Sequence, residues 1–198
     1  MSERTGEAKK ALRGTMLARR RRLPADSIAR GSEAIAAHFC AWPVYQKAKT
    51  VMVYLAMADE PQTEGLIAAA WVAGKTVCVP LMGEKYGHME AGLLTGWEGL
   101  VIGRLGLKMP DPAKVRLIEP AAIDLVVVPG VAFDRRAYRL GMGAGYYDRF
   151  LPRATAACRL GLAWSLQVVD EVPVDEYDAR LDYLLTEGGF WSLGKGGE

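Results

Sequence analysis

The stretch from Thr50 to Leu81, "TVMVYLAMADEPQTEGLIAAAWVAGKTVCVPL", decides the fold. It opens on a β-branched run, "TVMVYL", turns through "AMADEP", continues as a helical "TEGLIAAAWVAG" closing on Gly74, and ends on a second apolar run, "TVCVPL". Two strands joined by a helix within 32 residues describe a parallel βαβ unit, because a parallel pair needs a crossover of at least a dozen residues. The pattern returns at "DLVVVPG", Asp124 to Gly130, which is apolar without alternation and so suits a central parallel strand covered on both faces. Beyond it, "YYDRFLPRA" predicts a short helix, "RLGLAW" a strand and "YLLTEGG" a last strand. The sum is a three-layer α/β/α fold with a mostly parallel sheet, expected as one domain over residues 1–198.

Outward from this frame, residues 7–22 have helix-forming composition. Leu12 and Met16 lie four apart, while Lys9 and Arg13, also four apart, stack on a neighbouring face. Such a helix can dock and still aim its cations one way. Asp26 or Ser27 is a candidate cap for a second helix running to about Cys40, ended by Trp42 and Pro43. Between Lys85 and Pro120 the pattern weakens: "HMEAGLL" suggests a hairpin and "KMPDPAK" a loop. No internal repeat or low-complexity segment interrupts the chain.

The chain is 51% hydrophobic and 24% charged, enough to bury a sizeable core. A net charge of +2 does not suggest a polyanionic partner for the whole molecule, yet residues 1–22 carry eight Lys or Arg against two Glu. Cys40, Cys78 and Cys158 are odd in number, widely spaced and without a CxxC pair. With His38 and His88 the only histidines, neither a disulfide framework nor a zinc site fits. The opening "MSERTGEAKK" lacks the apolar stretch of a signal peptide, and no uncharged apolar segment reaches the roughly 18 residues of a membrane helix. The expectation is a cytoplasmic monomer acting on small molecules, with no nucleic-acid or membrane partner.

The chemistry concentrates in "RLGMGAGYYDRF", Arg139 to Phe150, where Gly141, Gly143 and Gly145 alternate after a buried strand. Such glycines turn sharply and leave amide N–H groups free for phosphate oxygens. The segment is neither a Walker loop nor a GxGxxG motif, and glycines alone also fit a tight turn without a ligand. The flanking Arg139 and the Tyr146-Tyr147-Asp148 sequence favour a site. Asp148 is close enough to the loop to hold a magnesium ion beside a bound phosphate. Asp178, in "VDEYDARLD", is a second candidate among several crowded acids. Glu60 lies in the turn after the first strand, where carboxyl-end turns of open α/β sheets line the ligand crevice. Lys9 and Arg13 can neutralise a polyphosphate, the tyrosine pair can stack on a flat ring or pack in the core, and Arg19 to Arg22 read as a solvated helix face.

Four ordered blocks carry a resemblance: "KKALRG" (9–14), "YLAMADEPQT" (54–63), "DLVVVPGVAFDRRAYRLGMGAGYYDRFL" (124–151), and the closing "GLAWSLQ" (161–167) with "VPVDEYDARLDYLLTE" (172–187). From about Lys9 to Glu187 the chain resembles the 5-formyltetrahydrofolate cyclo-ligase family, also called 5,10-methenyltetrahydrofolate synthetases. That resemblance implies an ATP- and Mg²⁺-dependent enzyme. ATP would phosphorylate the formyl oxygen of 5-formyltetrahydrofolate, folate nitrogen 10 would attack the activated carbon, and phosphate would leave as the methenyl ring closes. Carried onto matching positions, it assigns ATP binding to Lys9, Arg13, Arg139, Leu140, Gly141, Met142, Gly143, Ala144, Gly145, Tyr146 and Tyr147. Folate binding falls to Leu55, Glu60 and the loop from Met142 to Tyr146, the metal to Asp148 and Asp178, and catalytic roles to Arg139 and Tyr146. Phosphoryl transfer to a weakly nucleophilic amide oxygen depends on in-line positioning and charge neutralisation, which these residue types supply.

The sequence departs from the family pattern at Ala137, where glycine is common, at Met142 and Ala144, where some relatives carry basic side chains, and at Tyr177. An ATP-dependent enzyme with a different acceptor, and a noncatalytic folate- or nucleotide-binding protein, are the competing readings at this level. An RNA-binding role prompted by Arg19 to Arg22 lacks any supporting motif.

Overall fold

The computed structural model of the chain describes residues 3–83, 85–103 and 106–193; residues 1–2, 84, 104–105 and 194–198, part of the expected domain, lie outside the described residues. Helices α1 (Glu3–Arg20), α2 (Ala25–Ala41) and α3 (Pro43–Lys47) precede strand β1 (Thr50–Met52). Helix α4 (Glu64–Val72) crosses to β2 (Thr76–Met82), followed by β3 (Met89–Leu93), β4 (Leu100–Ile102), β5 (Lys108–Pro110) and β6 (Leu117–Ile118). Strands β7 (Leu125–Val128), β8 (Ala132–Asp134) and β9 (Arg139–Leu140) lead into the short helix α5 (Tyr146–Phe150). Strands β10 (Cys158–Leu162), β11 (Val168–Val169), β12 (Tyr183–Thr186) and β13 (Gly189–Trp191) follow.

The main sheet has the order β13-β12-β10-β7-β1-β2-β3-β6. Its five central strands, β12 to β2, run parallel, and the strands at both edges pair antiparallel. From β1 the chain moves one way to β2; from β7 it moves the other way to β10 and β12. The order therefore reverses between β1 and β7, and the loops leaving the carboxyl ends of these strands diverge to open a crevice.

The apolar runs are continuous because both faces are covered. Val51, Val77, Val79, Leu125 and Val127 face α2 and α4, packing with Ile35, Phe39, Leu66 and Ile67. Met52, Cys78, Val126 and Val128 face the opposite side with Tyr146, Phe150 and Leu151. The expected three layers are present, with the second outer layer built from a five-residue helix and the turns around it.

Four expectations need correction. Helix α1 runs from Glu3 to Arg20 rather than 7–22, since Arg21 and Arg22 fall in the turn that Pro24 forces on the preceding chain. Helix α2 is capped by the backbone of Pro24, not by Asp26 or Ser27: the Pro24 carbonyl accepts from the Ser27 and Ile28 amides. "KMPDPAK" is not all loop, because Lys108 to Pro110 pair with Leu100 to Ile102 and bury Met109. "YLLTEGG" is not the last strand: it turns at Glu187 and Gly188 into β13, in the register Thr186 opposite Gly189.

Ala137, the residue standing where relatives commonly have glycine, adopts a left-handed φ of 72° with its methyl buried. The turn is held by the Asp134 carboxylate, whose Oδ1 accepts from the Arg136 and Tyr138 amides. The left-handed conformation costs an L-residue about 1–2 kcal/mol. A buried methyl returns about 0.8 kcal/mol, and alanine's smaller unfolded-state entropy about 0.4–1 kcal/mol. Ala137→Gly is therefore expected to change stability by less than about 1 kcal/mol, whereas Ala137→Val, branched at an αL position inside a packed core, is expected to lose about 2 kcal/mol or more. Chemical denaturation of the two variants checks both values.

Candidate functional site

Helix α1 is the first wall of the site. Met16, fully buried, docks with Leu12 and Leu17 against Val131, Ala132, Leu140 and Val172, so the helix lies on the small sheet β11-β8-β9. That docking turns its cationic face inward. Lys9 Nζ donates to Asp175 Oδ2 at 2.9 Å and to Asp178 Oδ2 at 2.5 Å. Arg13 Nε donates to the carbonyl of Gly141 at 2.9 Å, so the N-terminal helix lies against the glycine loop.

Lys9, Arg13, Gly141, Asp175 and Asp178 line a half-open cavity with a volume of about 1270 Å³, larger than most single small-molecule pockets. Tyr54 and Leu55 beyond β1, Pro80 and Met82 at the end of β2, and Pro129 and Gly130 beyond β7 form its floor. The stretch Arg139 to Arg149 forms one side, and Lys9, Arg13, Glu60, Asp175 and Asp178 contribute charge. Every residue singled out from the sequence, Lys9, Arg13, Leu55, Glu60, Arg139 to Asp148 and Asp178, lines this one cavity.

Arg20 corrects the reading of Arg19 to Arg22 as solvated. Its side chain is 3% exposed; Nε and Nη2 donate to both oxygens of Asp59, and Nη1 donates to Glu60 Oε1 at 3.2 Å. Lys9 and Arg20 are eleven residues apart, about three turns and 16 Å along the helix, so they share a face. The i, i+4, i+11 spacing of Lys9, Arg13 and Arg20 was the available signal. Asp175, Tyr54, Met57, Lys108 and Arg149 also line the cavity and were not identified from sequence; only the fold brings them there.

Glu60 is buried. Burial pushes its carboxyl above the ordinary value of 4.5, opposed by the Met57 amide and by Arg20. The Met57 N–H donates to Oε2 at 3.0 Å, so both carboxylate oxygens are fixed. Tyr147 is pushed far up by burial and by the charge of Glu60, which keeps its phenol protonated. The hydroxyls of Tyr146 and Tyr147 are buried with no hydrogen-bond partner among the described residues; both residues line the cavity, where a ligand can satisfy them. Lys9 would be lowered by its burial, but its bonds to Asp178 and Asp175 outweigh this and raise it.

Arg139 Nη2 donates to Asp148 Oδ1 at 3.0 Å and Nη1 to the Ala179 carbonyl at 2.9 Å. The Ala179 amide donates back to the same Asp148 oxygen, which brings the segment carrying Asp178 beside Asp148. Among the described residues no group of three or more His, Cys, Asp or Glu forms a metal cage. One oxygen each of Asp148 and Asp178 takes the hydrogen bonds, and the other has no hydrogen bond among the described residues. Such a pair fits magnesium, which takes one or two carboxylates together with water and substrate phosphates.

A doubly wound α/β sheet with a charged, glycine-lined crevice at its switch point defines the class: an α/β protein whose candidate ligand crevice lies at the carboxyl ends of its strands. A sequence profile of the 5-formyltetrahydrofolate cyclo-ligase family matches residues 5–187. The 5-formyltetrahydrofolate cyclo-ligase of Mus musculus is 31% identical over 190 residues, covering 91% of this chain and 94% of the mouse protein. That of Escherichia coli strain K12 is 31% identical over 176 residues, covering 87% of this chain and 97% of its own length. The solved structure of Aquifex aeolicus 5,10-methenyltetrahydrofolate synthetase matches with a TM-score of 0.82 at 30% identity, over 96% of this chain and 95% of that one. The chain belongs to the 5-formyltetrahydrofolate cyclo-ligase family and is an enzyme of the ligase class.

Glu60 titrates above its unfolded value, so the folded chain keeps this proton to higher pH than the unfolded chain does. Its contribution favours folding below the ordinary carboxylate value and is lost as pH rises through the raised one. Arg20→Met strands the buried carboxylate, with an expected loss of about 3–5 kcal/mol near pH 8 and a smaller loss near pH 5. Urea unfolding at the two pH values measures the difference, and adding Glu60→Gln is expected to recover part of it.

Proposed function

We propose that this enzyme converts 5-formyltetrahydrofolate to 5,10-methenyltetrahydrofolate with ATP and Mg²⁺, releasing ADP and phosphate. The observation that carries the reading is the single large cavity in which a cation-flanked glycine loop and a buried, fixed carboxylate converge. The cationic and carboxylate clusters, spaced about 16 Å along α1, suit two substrates held together. Family membership supplies the acceptor.

In this reading Lys9, Arg13, Arg139 and the amides of Leu140 to Tyr147 hold the triphosphate. Leu55, Glu60 and the loop Met142 to Tyr146 hold the folate, with Glu60 accepting from the ring N–H donors while Arg20 and the Met57 amide keep it in place. Asp148 and Asp178 would hold magnesium, which spreads the negative charge of the phosphate oxygens. Arg139, fixed by Asp148, steadies the charge developing on the transferred phosphoryl group. The Tyr146 hydroxyl donates to the reacting oxygen from a position that excludes water. The formyl oxygen attacks the γ-phosphorus and ADP leaves; nitrogen 10 then attacks the activated carbon, loses its proton, and phosphate departs. In this reading the chain works as one domain and as a monomer in the cytoplasm.

Purified protein given 5-formyltetrahydrofolate, ATP and Mg²⁺ at mildly acidic pH is expected to develop the near-ultraviolet absorbance of the methenyl product only when all three are present. Folded protein that consumes no ATP in response to the folate overturns the reading. Asp148→Asn, which removes charge without volume, is expected to lower kcat at least tenfold, about 1.4 kcal/mol of transition-state stabilisation, without lowering the melting temperature markedly.

A further inference from the structure

Two of the cavity's arginines differ from Lys9 and Arg139 in what they face. Lys9 is paired with Asp175 and Asp178, and Arg139 with Asp148. Arg13 and Arg149, among the described residues, make no carboxylate pair and bond only to carbonyls. Those carbonyls bracket the glycine loop. Arg13 Nε donates to Gly141 at one end; Arg149 Nη1 donates to Ala144 at 2.7 Å and Gly145 at 3.1 Å at the other. A third bond from the same nitrogen, to the Gly87 carbonyl at 3.2 Å, ties the guanidinium to the turn before β3.

Space for this guanidinium is made by missing side chains. A Cβ on Gly87 would lie 2.2 Å from Arg149 Nη1, and one on Gly145 would lie 3.0 Å from it. Only one of the three nitrogens is spent on the loop: Nε and Nη2 have no bond among the described residues, and Arg149 lines the cavity. A guanidinium has five donors in a rigid fork that matches phosphate oxygens. A phosphate lying on the amides of residues 143–145 would be within its reach.

We propose that Arg149 is a phosphate-binding residue of this site, supplying positive charge from the helix behind the glycine loop. The inference rests on the ATP reading above. Arg149 then joins Arg13 in holding the triphosphate from opposite ends of the loop, alongside Lys9 and Arg139, whose charge is shared with carboxylates.

The test is steady-state kinetics of the full chain carrying Arg149→Gln, with ATP and 5-formyltetrahydrofolate varied separately. A charged hydrogen bond of this kind corresponds to roughly a 10- to 100-fold change in affinity. The KM for ATP is expected to rise by that factor while the folate KM stays within about twofold. An ATP KM within about twofold of the parent in a folded variant overturns the inference. So does a rise confined to the folate KM, which would give the guanidinium to the folate carboxylates. If the glutamine variant does not fold, Arg149→Lys is read by the same criterion, because lysine keeps the charge but cannot bond the loop and a phosphate together in fork geometry. Failure of ATP to serve the parent chain at all overturns the ATP reading itself, and is seen before any substitution is made.

Discussion

Helix α1 organises the site through cations that sit on one face and reach three separate loops. Lys9 meets Asp175 and Asp178, Arg13 meets the Gly141 carbonyl, and Arg20 meets Asp59 and Glu60. The segment of Asp178 and the glycine loop are also tied to each other through Arg139, Ala179 and Asp148, and the helix bonds both of them and the turn of Asp59 and Glu60. The apolar anchor at Met16 is what makes this possible. It fixes the rotation of α1, and one rotation angle then sets the direction of all three cations.

The sheet provides the second constraint. Its order reverses between β1 and β7, so the turn bearing Glu60 and the chain that runs from β7 through β8 and β9 to the glycine loop leave the sheet from neighbouring strands. A site at that point receives residues from distant parts of the sequence without needing long loops. Burial then gives the two ends different characters. Around Glu60, low exposure raises the carboxyl's affinity for its proton and holds Tyr147 neutral. Around the glycine loop, the exposed Arg149 and the half-buried Arg13 keep donors that no carboxylate occupies.

Among the described residues, the one non-glycine with a left-handed backbone lies in the turn that leads into the glycine loop. Ala137 takes a backbone conformation that glycine would adopt freely, and the Asp134 carboxylate with its two amide donors holds it there. The buried methyl offsets part of that cost. Substitution of a family glycine is therefore compatible with an intact site, since Arg139 two residues later still reaches Asp148.

The sequence by itself determined the parallel sheet, because Thr50 to Leu81 and Asp124 to Val128 carry apolar runs too continuous for any one-sided strand. It also marked the glycine loop and the cations Lys9 and Arg13 as candidates for anion binding, with a ligand-free turn and a solvated helix face as the alternatives. Only the tertiary structure decided which acid meets Lys9, that Arg20 is buried while its neighbours in the arginine run are not, and that Arg149 turns back along the loop. Those outcomes depend on pairs such as Lys9 and Asp175, 166 residues apart, or Arg149 and Gly87, 62 apart. Local periodicity sets which face a side chain occupies; what lies opposite that face is set by how distant segments pack, and no window of sequence contains it.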